Sequence, residues 1–358
     1  MNLRPIVFAA ASAVVLFAAA APTPARAAEN LTPVRLATDD DIFLPALGEA
    51  LGYFRAEGIE LVPVKVDSFE KEDYLLQAPL IRGQIDACYH WFQHAVIGAR
   101  HNLPVKAVIL FNDAPGMTVL VANRVKDQIH GAADFAGRNI AQGAGYGTKS
   151  VLTGYLAAKA GLPPGSYTPV LSGTVGRQEA VIKGVREGKV DVLTFQEPIT
   201  SALQDTKLVS TLYDLNSGPA TTSVLGAPFP AQCLLMAPTY IAAHPDTVQR
   251  LVNAFVRTMR FMNAHSAEEI IAQLPANNFK PAERADAVRL LRATLSTYAR
   301  GDYSIPPASA KLTVEIMQSS RFDDSEEGRW RRDAENPHVK PDDLYTNEFV
   351  QRAMRAIP

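Results

Sequence analysis

The sequence predicts an α/β protein with two lobes, and three observations support that prediction. Short apolar runs alternate with stretches of helical periodicity, which is typical of mainly parallel sheets covered by helices. The alternation starts again after the Ala114-Pro115-Gly116 turn, so the chain contains two consecutive blocks of similar length. The 358 residues, of which 47% are hydrophobic and 20% charged, are enough for two cores. A formal net charge of −2 offers no basic surface, so no nucleic-acid partner is expected.

The N-terminus has the three-part layout of a secretory signal peptide. Arg4 precedes the uncharged run of residues 6–21, and the small-residue pattern Ala25-Arg26-Ala27 follows it. A membrane anchor is the alternative, but the run is shorter than the roughly 20 residues that a spanning helix needs. No cysteine follows the run, so lipid attachment is not expected. We therefore predict a signal peptide at residues 1–27, removed after Ala27, and a mature protein in the periplasm.

The first block is predicted to begin with a strand at residues 34–37. Phe43, Leu47, Leu51 and Phe54 then recur at helical spacing up to Gly58, a residue type that often ends helices. Strands at residues 59–66, 85–89 and 106–111 and helices at residues 75–81 and 91–100 complete this block.

The second block is predicted to open with a strand at residues 118–122 and a short helical turn at residues 133–137. A strand at residues 138–141 leads through a glycine-rich turn into a helix that ends at Gly161. Strands at residues 168–171, 190–194 and 208–212 and a helix at residues 177–187 follow.

The last part of the chain contains the clearest helix of the sequence, which starts at Pro245 after a strand at residues 233–236. One face of this helix carries Val248, Leu251, Val252, Phe255, Val256, Met259 and Met262. A second helix is marked by Val288, Leu291, Leu295 and Tyr298. We predict that residues 322–341 are mostly irregular and that residues 347–356 are helical.

The glycine-rich turn, from Gly143 to Ser150, is the stretch of the second block with the most chemistry. Glycines at every second position allow positive φ angles and close approach to a ligand, and the first amides of the following helix attract anions. A turn that is closed by Thr148 or Ser150 as an N-cap, with nothing bound, explains the same residues. A phosphate-binding P-loop is disfavoured, because Thr148 stands where that motif needs a glycine before Lys149.

Several segments, in order along the chain, resemble the solute-binding proteins of nitrate, sulfonate and taurine ABC transporters and their pyrimidine-precursor relatives. The matching segments are residues 51–54, 57–59, 80–87, 101–108, 134–140, the glycine-rich turn, residues 188–192, Glu197-Pro198 and Ala243-His244-Pro245. Together they cover most of the chain from Val34 to about His265.

The resemblance implies a Venus-flytrap (type II periplasmic-binding-protein) fold, in which the chain crosses twice between two α/β lobes. We expect these crossings near residues 117–123 and 223–234. Lobe 1 would then comprise residues 28–118 and 225–300, and lobe 2 residues 119–224. A C-terminal extension at residues 301–358 would pack on lobe 1. The ligand of such a protein sits in the cleft between the lobes, at strand ends and helix N-termini.

The resemblance also implies which residues line this cleft. They are the strand-end residues Asp39, Asp41, Tyr89, His90, Trp91, Asn112, Asp113, Gly143, Gly145, Tyr146, Gly147, Thr148, Ser172, Thr174, Gln196 and Glu197. Asp39, Asp40 and Asp41 also fit a helix cap, with one of the three facing the ligand.

The aromatic run Tyr89-His90-Trp91-Phe92 must lie at least half in the core, because side chains alternate across a strand end. A remaining ring would stack on a flat ligand. His90 and His94 have helical spacing but no zincin glutamate between them, so no metal is expected. Glu197 either orients a donor group of the ligand or caps the next helix. Cys88 and Cys233 are too few for a disulfide scaffold. Buried free thiols are expected, and the alternative is that the two lie on neighbouring strands of lobe 1 and oxidise in the periplasm.

The function that the resemblance implies is capture of a small organic ligand and its delivery to an ABC-transporter permease in the inner membrane. The ligand would be a sulfonate, a carboxylate, or an aromatic or pyrimidine-like molecule. We expect no catalytic residues and no cofactor, since the cysteine-rich motif of the related pyrimidine synthases is absent. We also expect a monomer. An exported enzyme on the same scaffold and a ligand-sensing subunit of a membrane signalling system remain as alternatives.

Overall fold

Two mixed sheets and their helices make up the computed structural model, which describes residues 30–38, 43–65, 76–142, 147–170, 178–275, 281–319 and 338–357. Contacts divide the chain into Met1–Asn30 and Leu31–Pro358, and both sheets belong to the second unit. The described strands are β1 Thr32–Thr38, β2 Ile59–Val64, β3 Ala87–Trp91, β4 Lys106–Leu110, β5 Met117–Ala122, β6 Asn139–Ala141, β7 Thr168–Val170, β8 Val192–Gln196, β9 Val209–Leu215 and β10 Gln232–Met236.

The strand order confirms the predicted α/β class with two chain crossings. Sheet one has the order β2-β1-β3-β10-β4, and sheet two has the order β7-β6-β8-β5-β9. Residues 111–116 join β4 to β5, and residues 216–231 join β9 back to β10. We expected the first crossing near residues 117–123. It lies just before them, since β5 already occupies Met117–Ala122.

The sheets are mixed rather than mainly parallel, which corrects the prediction from the alternating rhythm. β1 runs parallel to β2 and β3, and β6 runs parallel to β7 and β8. β10 is antiparallel to β3 and β4, and β5 is antiparallel to β8 and β9. β5 and β10 are the strands that follow the two crossings. A crossing chain enters the new sheet at the carboxyl ends of its parallel strands, so it runs against them.

The described α-helices are α1 Phe43–Ala50, α2 Tyr53–Ala56, α3 Gln77–Ile81, α4 Gln93–Arg100, α5 Thr148–Lys159, α6 Gln178–Arg186, α7 Ile199–Asp205, α8 Gly218–Leu225, α9 Pro238–Ala243, α10 Pro245–Ala264, α11 Ala267–Gln273, α12 Pro281–Thr294, α13 Pro307–Ser319 and α14 Glu348–Ala356. The helix predicted from Phe43 onward is divided into α1 and α2, because Gly52 adopts a left-handed φ of 74°. Most of the predicted irregular stretch at 322–341 lies outside the described residues.

Four helices, α8, α9, α11 and α13, were not predicted from the sequence, and α7 was anticipated only as the helix that Glu197 could cap. Most of them are too short to show a repeating apolar pattern. α8 nevertheless carried local signals, since Ser217 caps its first turn by accepting from the Ala220 amide and Gly226 ends it in a left-handed conformation. α13 begins at Pro307, and proline is well tolerated at the first helical position.

The apolar face predicted for α10 is confirmed, and it packs against sheet one. Its seven predicted residues are at most 1% exposed. Phe255 of α10 contacts Phe54 of α2 edge to face, with ring centroids 5.0 Å apart, and Phe111 at 4.9 Å. α14 covers another side of α10. Phe111 directly follows β4, so this packing holds the carboxyl end of β4 against α10.

Candidate functional site

The candidate site lies where two helices begin after strands of different sheets. α4 begins at Gln93, just after β3 of sheet one, and α5 begins at Thr148, after β6 of sheet two. The Thr148 hydroxyl donates to Gln93 Oε1 over 3.2 Å. The carboxyl ends of parallel strands from both sheets therefore meet, which is where open α/β sheets place their ligands.

On the side of sheet one, the aromatic run is buried, as core packing requires. The Tyr89 ring stacks on Phe111 with centroids 4.6 Å apart, and its hydroxyl donates to Gln232 Oε1 over 2.9 Å. The His90 ring stacks on His94 at 3.8 Å. Trp91 keeps the largest exposed fraction of the run, 8%, against 2% or less for its neighbours. Of these rings, Trp91 is the least completely buried.

Gln93 lies at the contact between the two helix beginnings, and sequence reasoning did not include it among the candidate residues. It is 2% exposed, and with His90 and His94 it is one of three buried polar side chains in a stretch that is otherwise apolar up to Ile97. A polar residue directly after a strand, in the first turn of a helix, was the signal available. Its amide oxygen is held by Thr148, so the two helix beginnings are joined by uncharged groups.

On the side of sheet two, a chain of buried hydrogen bonds ties together both ends of the glycine-rich turn. Gln142, the residue before the turn, donates from Nε2 to Ser150 Oγ over 2.8 Å. Tyr167 donates to Gln142 Oε1 over 3.0 Å, and burial raises the pKa of this hydroxyl, so it stays protonated. The turn therefore starts and ends at positions fixed by side chains that are at most 4% exposed.

The N-cap of α5 is Gly147, not Thr148 or Ser150, which corrects the capping alternative. Gly147 has an extended conformation and α5 has no side-chain cap. Thr148 and Ser150 use their hydroxyls elsewhere, toward Gln93 and Gln142. The N-cap residue of α5 therefore supplies no side-chain acceptor to the first turn of the helix. It contains Lys149 and no acidic residue.

Asn112 and Asp113 lie in the first crossing. Asn112 Nδ2 donates to Thr297 Oγ1 over 2.8 Å, and the backbone of Asp113 bonds to Phe229 of the second crossing. Burial raises the pKa of the Asp113 carboxyl to about 6, although the Gly218 amide and the Arg300 charge act against this. These two residues sit at a junction that connects both crossings.

Gln196 is the last residue of β8, and Glu197 follows it. Gln196 Nε2 donates to the backbone oxygen of Pro115, which belongs to the first crossing. Glu197 Oε2 accepts from the Ser201 amide in the first turn of α7 over 3.3 Å. This contact supports the helix-capping role of the two roles that we considered for Glu197.

Several predicted site residues lie outside the described part of the chain: Asp39, Asp40, Asp41, Gly143, Gly145, Tyr146, Ser172 and Thr174. Within the described ranges, no three or more His, Cys, Asp or Glu side chains cluster as a metal site would require. Cys88 and Cys233 are buried on neighbouring strands, where Cys88 stands opposite Leu235 and Cys233 opposite His90. None of the described helices is both long and apolar enough to cross a bilayer.

Comparisons with known proteins agree with this geometry. Residues 45–269, more than half of the chain, match the profile of the family described as NMT1/THI5 like. A structure from Bordetella bronchiseptica RB50 is 21% identical, with a TM-score of 0.67, and the match covers 91% of this chain and 98% of that one. The periplasmic aliphatic sulphonate binding protein SsuA from Escherichia coli is 17% identical, with a TM-score of 0.60 over 79% and 85% of the two chains.

The periplasmic nitrate-binding protein NrtA from Synechocystis PCC 6803 is 12% identical, with a TM-score of 0.61 over 91% and 89% of the two chains. Among curated protein sequences, none matched. At these identities the similar structures show the fold alone, and that fold is the one of periplasmic binding proteins. The bilobed architecture that the resemblance implied is therefore confirmed.

Proposed function

The chain belongs to the family described as NMT1/THI5 like, and on that premise we propose that it is an extracytoplasmic solute-binding protein. It would capture a small organic ligand between its two sheets and deliver it to the permease of an ABC importer. Two of the similar structures, a sulphonate-binding and a nitrate-binding periplasmic protein, support this function.

The observation that carries the proposal is the contact between Gln93 and Thr148. It joins the beginnings of two helices that follow parallel strands of different sheets. In a fold whose two halves close on a ligand, this is the edge at which both halves present backbone amides and short polar side chains. A ligand here would be enclosed when the halves close.

The described groups favour a ligand with an anionic head, such as a sulfonate or a carboxylate. The first turns of α4 and α5 contain no acidic residue, and α5 carries Lys149 in its first turn. Glu197, which would repel an anion, is engaged as a cap of α7. A helix N-terminus without a side-chain cap attracts negative charge.

An aromatic or pyrimidine-like body is the second feature that we propose for the ligand. Trp91 lies two residues before Gln93 and is the most exposed ring of the aromatic run. Stacking on one such ring contributes about 0.5–1.5 kcal/mol beyond burial of its surface. An aliphatic sulfonate would gain only the anionic part of this site.

The proposed ligand is tested by thermal unfolding of the mature protein, from Ala28 onward, after unfolding and refolding to remove carried-over molecules. The probes are taurine, ethanesulfonate, nitrate, benzoate and 4-aminopyrimidine. A true ligand at 100 times its Kd adds about 2.7 kcal/mol, so the Tm rises by several degrees.

Thr148→Val keeps the shape of the side chain and removes its hydroxyl, so it should reduce the shift given by the stabilising probe. Thr258→Val, the same change in α10 where the hydroxyl donates to the Ala254 carbonyl, is the matched control and should retain the shift. Turnover of a probe, without any stabilisation across the panel, would contradict the proposal and favour an exported enzyme.

Export is a separate part of the proposal. Expression in a Gram-negative host, followed by N-terminal sequencing of the periplasmic fraction, should give a protein that starts at Ala28. A protein that keeps residues 1–27 and stays with the membrane would argue against cleavage.

A further inference from the structure

Helix α5 has one face that contacts three elements outside sheet two, and we call Thr148, Tyr155 and Lys159 its bridging face. These residues are seven and four positions apart, which places them on the same side of a helix. Thr148 bonds to Gln93 of α4. The Tyr155 hydroxyl donates to Glu315 Oε1 of α13 over 3.2 Å, and Lys159 Nζ donates to the Leu225 carbonyl of α8 over 3.0 Å.

The partner helix α13 is anchored to sheet one. It packs against α4 and against the turn Pro341–Leu344, which itself packs on β4. The residues after this turn continue the attachment, because the Thr346 amide donates to the Ala107 carbonyl of β4 over 2.9 Å. α5, in contrast, packs against β8 of sheet two. The contact between α5 and α13 therefore joins the two sheets in addition to the two crossings.

The hydroxyl donor at the centre of the bridging face belongs to a buried side chain, whereas its acceptor, Glu315, is exposed to solvent. Tyr155 is 4% exposed. Burial and the neighbouring Glu315 raise the pKa of Tyr155 to about 12, so the phenol is a donor throughout the physiological range. A carboxylate acceptor makes such a bond stronger than one between neutral groups.

We infer that the bridging face of α5 and the C-terminal helix α13 form a strap that holds the two sheets together. Separation of the sheets must break the bond between Tyr155 and Glu315, which therefore favours the joined arrangement. Because the acceptor is exposed, this bond should change such an equilibrium by about two- to tenfold. This inference concerns motion between the sheets and stands independently of the ligand that we propose.

The test measures the distance between nitroxide labels on exposed positions of the two halves, Gln84→Cys before β3 and Lys183→Cys in α6, by pulsed electron spin resonance. The two native cysteines are buried, which limits their labelling. Tyr155→Phe and Glu315→Ala should each move the distance distribution away from that of the parent protein, toward separated sheets. The double variant should move it no further, because both changes remove the same bond.

Two variants serve as controls. Glu315→Gln keeps an acceptor and should restore most of the parent distribution. Tyr213→Phe removes a tyrosine hydroxyl of β9 that accepts from the Ala132 amide, in the turn between β5 and β6, and it should leave the distribution unchanged. Parent-like distributions in both Tyr155→Phe and Glu315→Ala, in proteins that still melt cooperatively, overturn the inference. An equal shift in Tyr213→Phe overturns it as well.

Discussion

The centres of sheet one and sheet two are held by the same kind of contact, made with different donors. Asp86 precedes β3 and accepts from the Arg35 amide at 2.8 Å and from its guanidinium at 2.6 Å. Asp191 precedes β8 and accepts from the Asn139 amide at 2.8 Å and from the Arg124 guanidinium at 2.6 Å. In both sheets an aspartate therefore joins the middle strand to its parallel neighbour.

The difference lies in how many strands each aspartate connects. Arg35 of β1 supplies every donor to Asp86, including a third bond from Nε at 3.0 Å. Asp191 instead divides its bonds between β6 and Arg124, which follows β5 and also donates to the Gly188 and Val190 carbonyls. In sheet two the aspartate therefore also contacts the residue that follows β5, the strand that enters from the first crossing. In sheet one the aspartate contacts only β1 among the described residues.

The largest expected effect is that of removing these carboxylates. Asp86→Ala should lower the free energy of unfolding by about 3 kcal/mol, since a buried acceptor of three bonds is lost while Arg35 regains water. Asp191→Ala should cost less, about 2 kcal/mol, because the two carbonyls keep Arg124 in place. Urea unfolding of both variants measures the difference. A larger loss for Asp191→Ala would mean that connecting three strands matters more than the number of bonds.

The junction of the two crossings contains a third aspartate with different surroundings. Asp113 lies against the backbone of Gly218, and a Cβ added at Gly218 would be 2.5 Å from Asp113 Oδ2. Gly218→Ala should therefore destabilise the protein by about 1–3 kcal/mol, as overpacking does. Adding Asp113→Ala should recover part of this loss in the same unfolding assay. Equal stability of the single and double variants would show that the clash is relieved by a backbone shift instead.

A pH titration should distinguish Asp113 from the aspartates at the sheet centres, because its pKa is raised to about 6 from an ordinary value of 3.8. Between these values the folded state binds more protons than the unfolded state, so stability falls as pH rises through this window. Asp113→Asn should remove this component. Thermal unfolding of the parent and the variant between pH 4 and pH 7 measures it, and identical profiles would exclude Asp113 as its source.

The smallest expected effect is that of an exposed ion pair. Lys189 lies 2.7 Å from Glu187, and both side chains are well exposed to solvent. Lys189→Ala should leave the urea midpoint unchanged, because water replaces the lost contact. A measurable loss there would indicate that sheet two depends on surface charge near Asp191 more than sheet one does.

Much of the candidate site could be anticipated from local patterns, and the rest depends on distant residues. The strand before the glycine-rich turn, the helix after it and the burial of the Tyr89 run follow from apolar periodicity and glycine positions. Gln93 could not be matched with Thr148, because 55 positions separate them. The domain boundaries and the ligand contacts remain predictions.

By itself, the sequence determined the α/β class, most strand and helix positions, and the apolar face of α10. These features depend on residues a few positions apart, whose spacing decides which side chains share a face. Only the tertiary structure decided that β5 and β10 are antiparallel to their neighbours, that the Thr148 hydroxyl bonds to Gln93 instead of capping α5, and that α13 packs against α5. Those features arise where segments far apart in the chain pack together, and no local periodicity records which segments will meet.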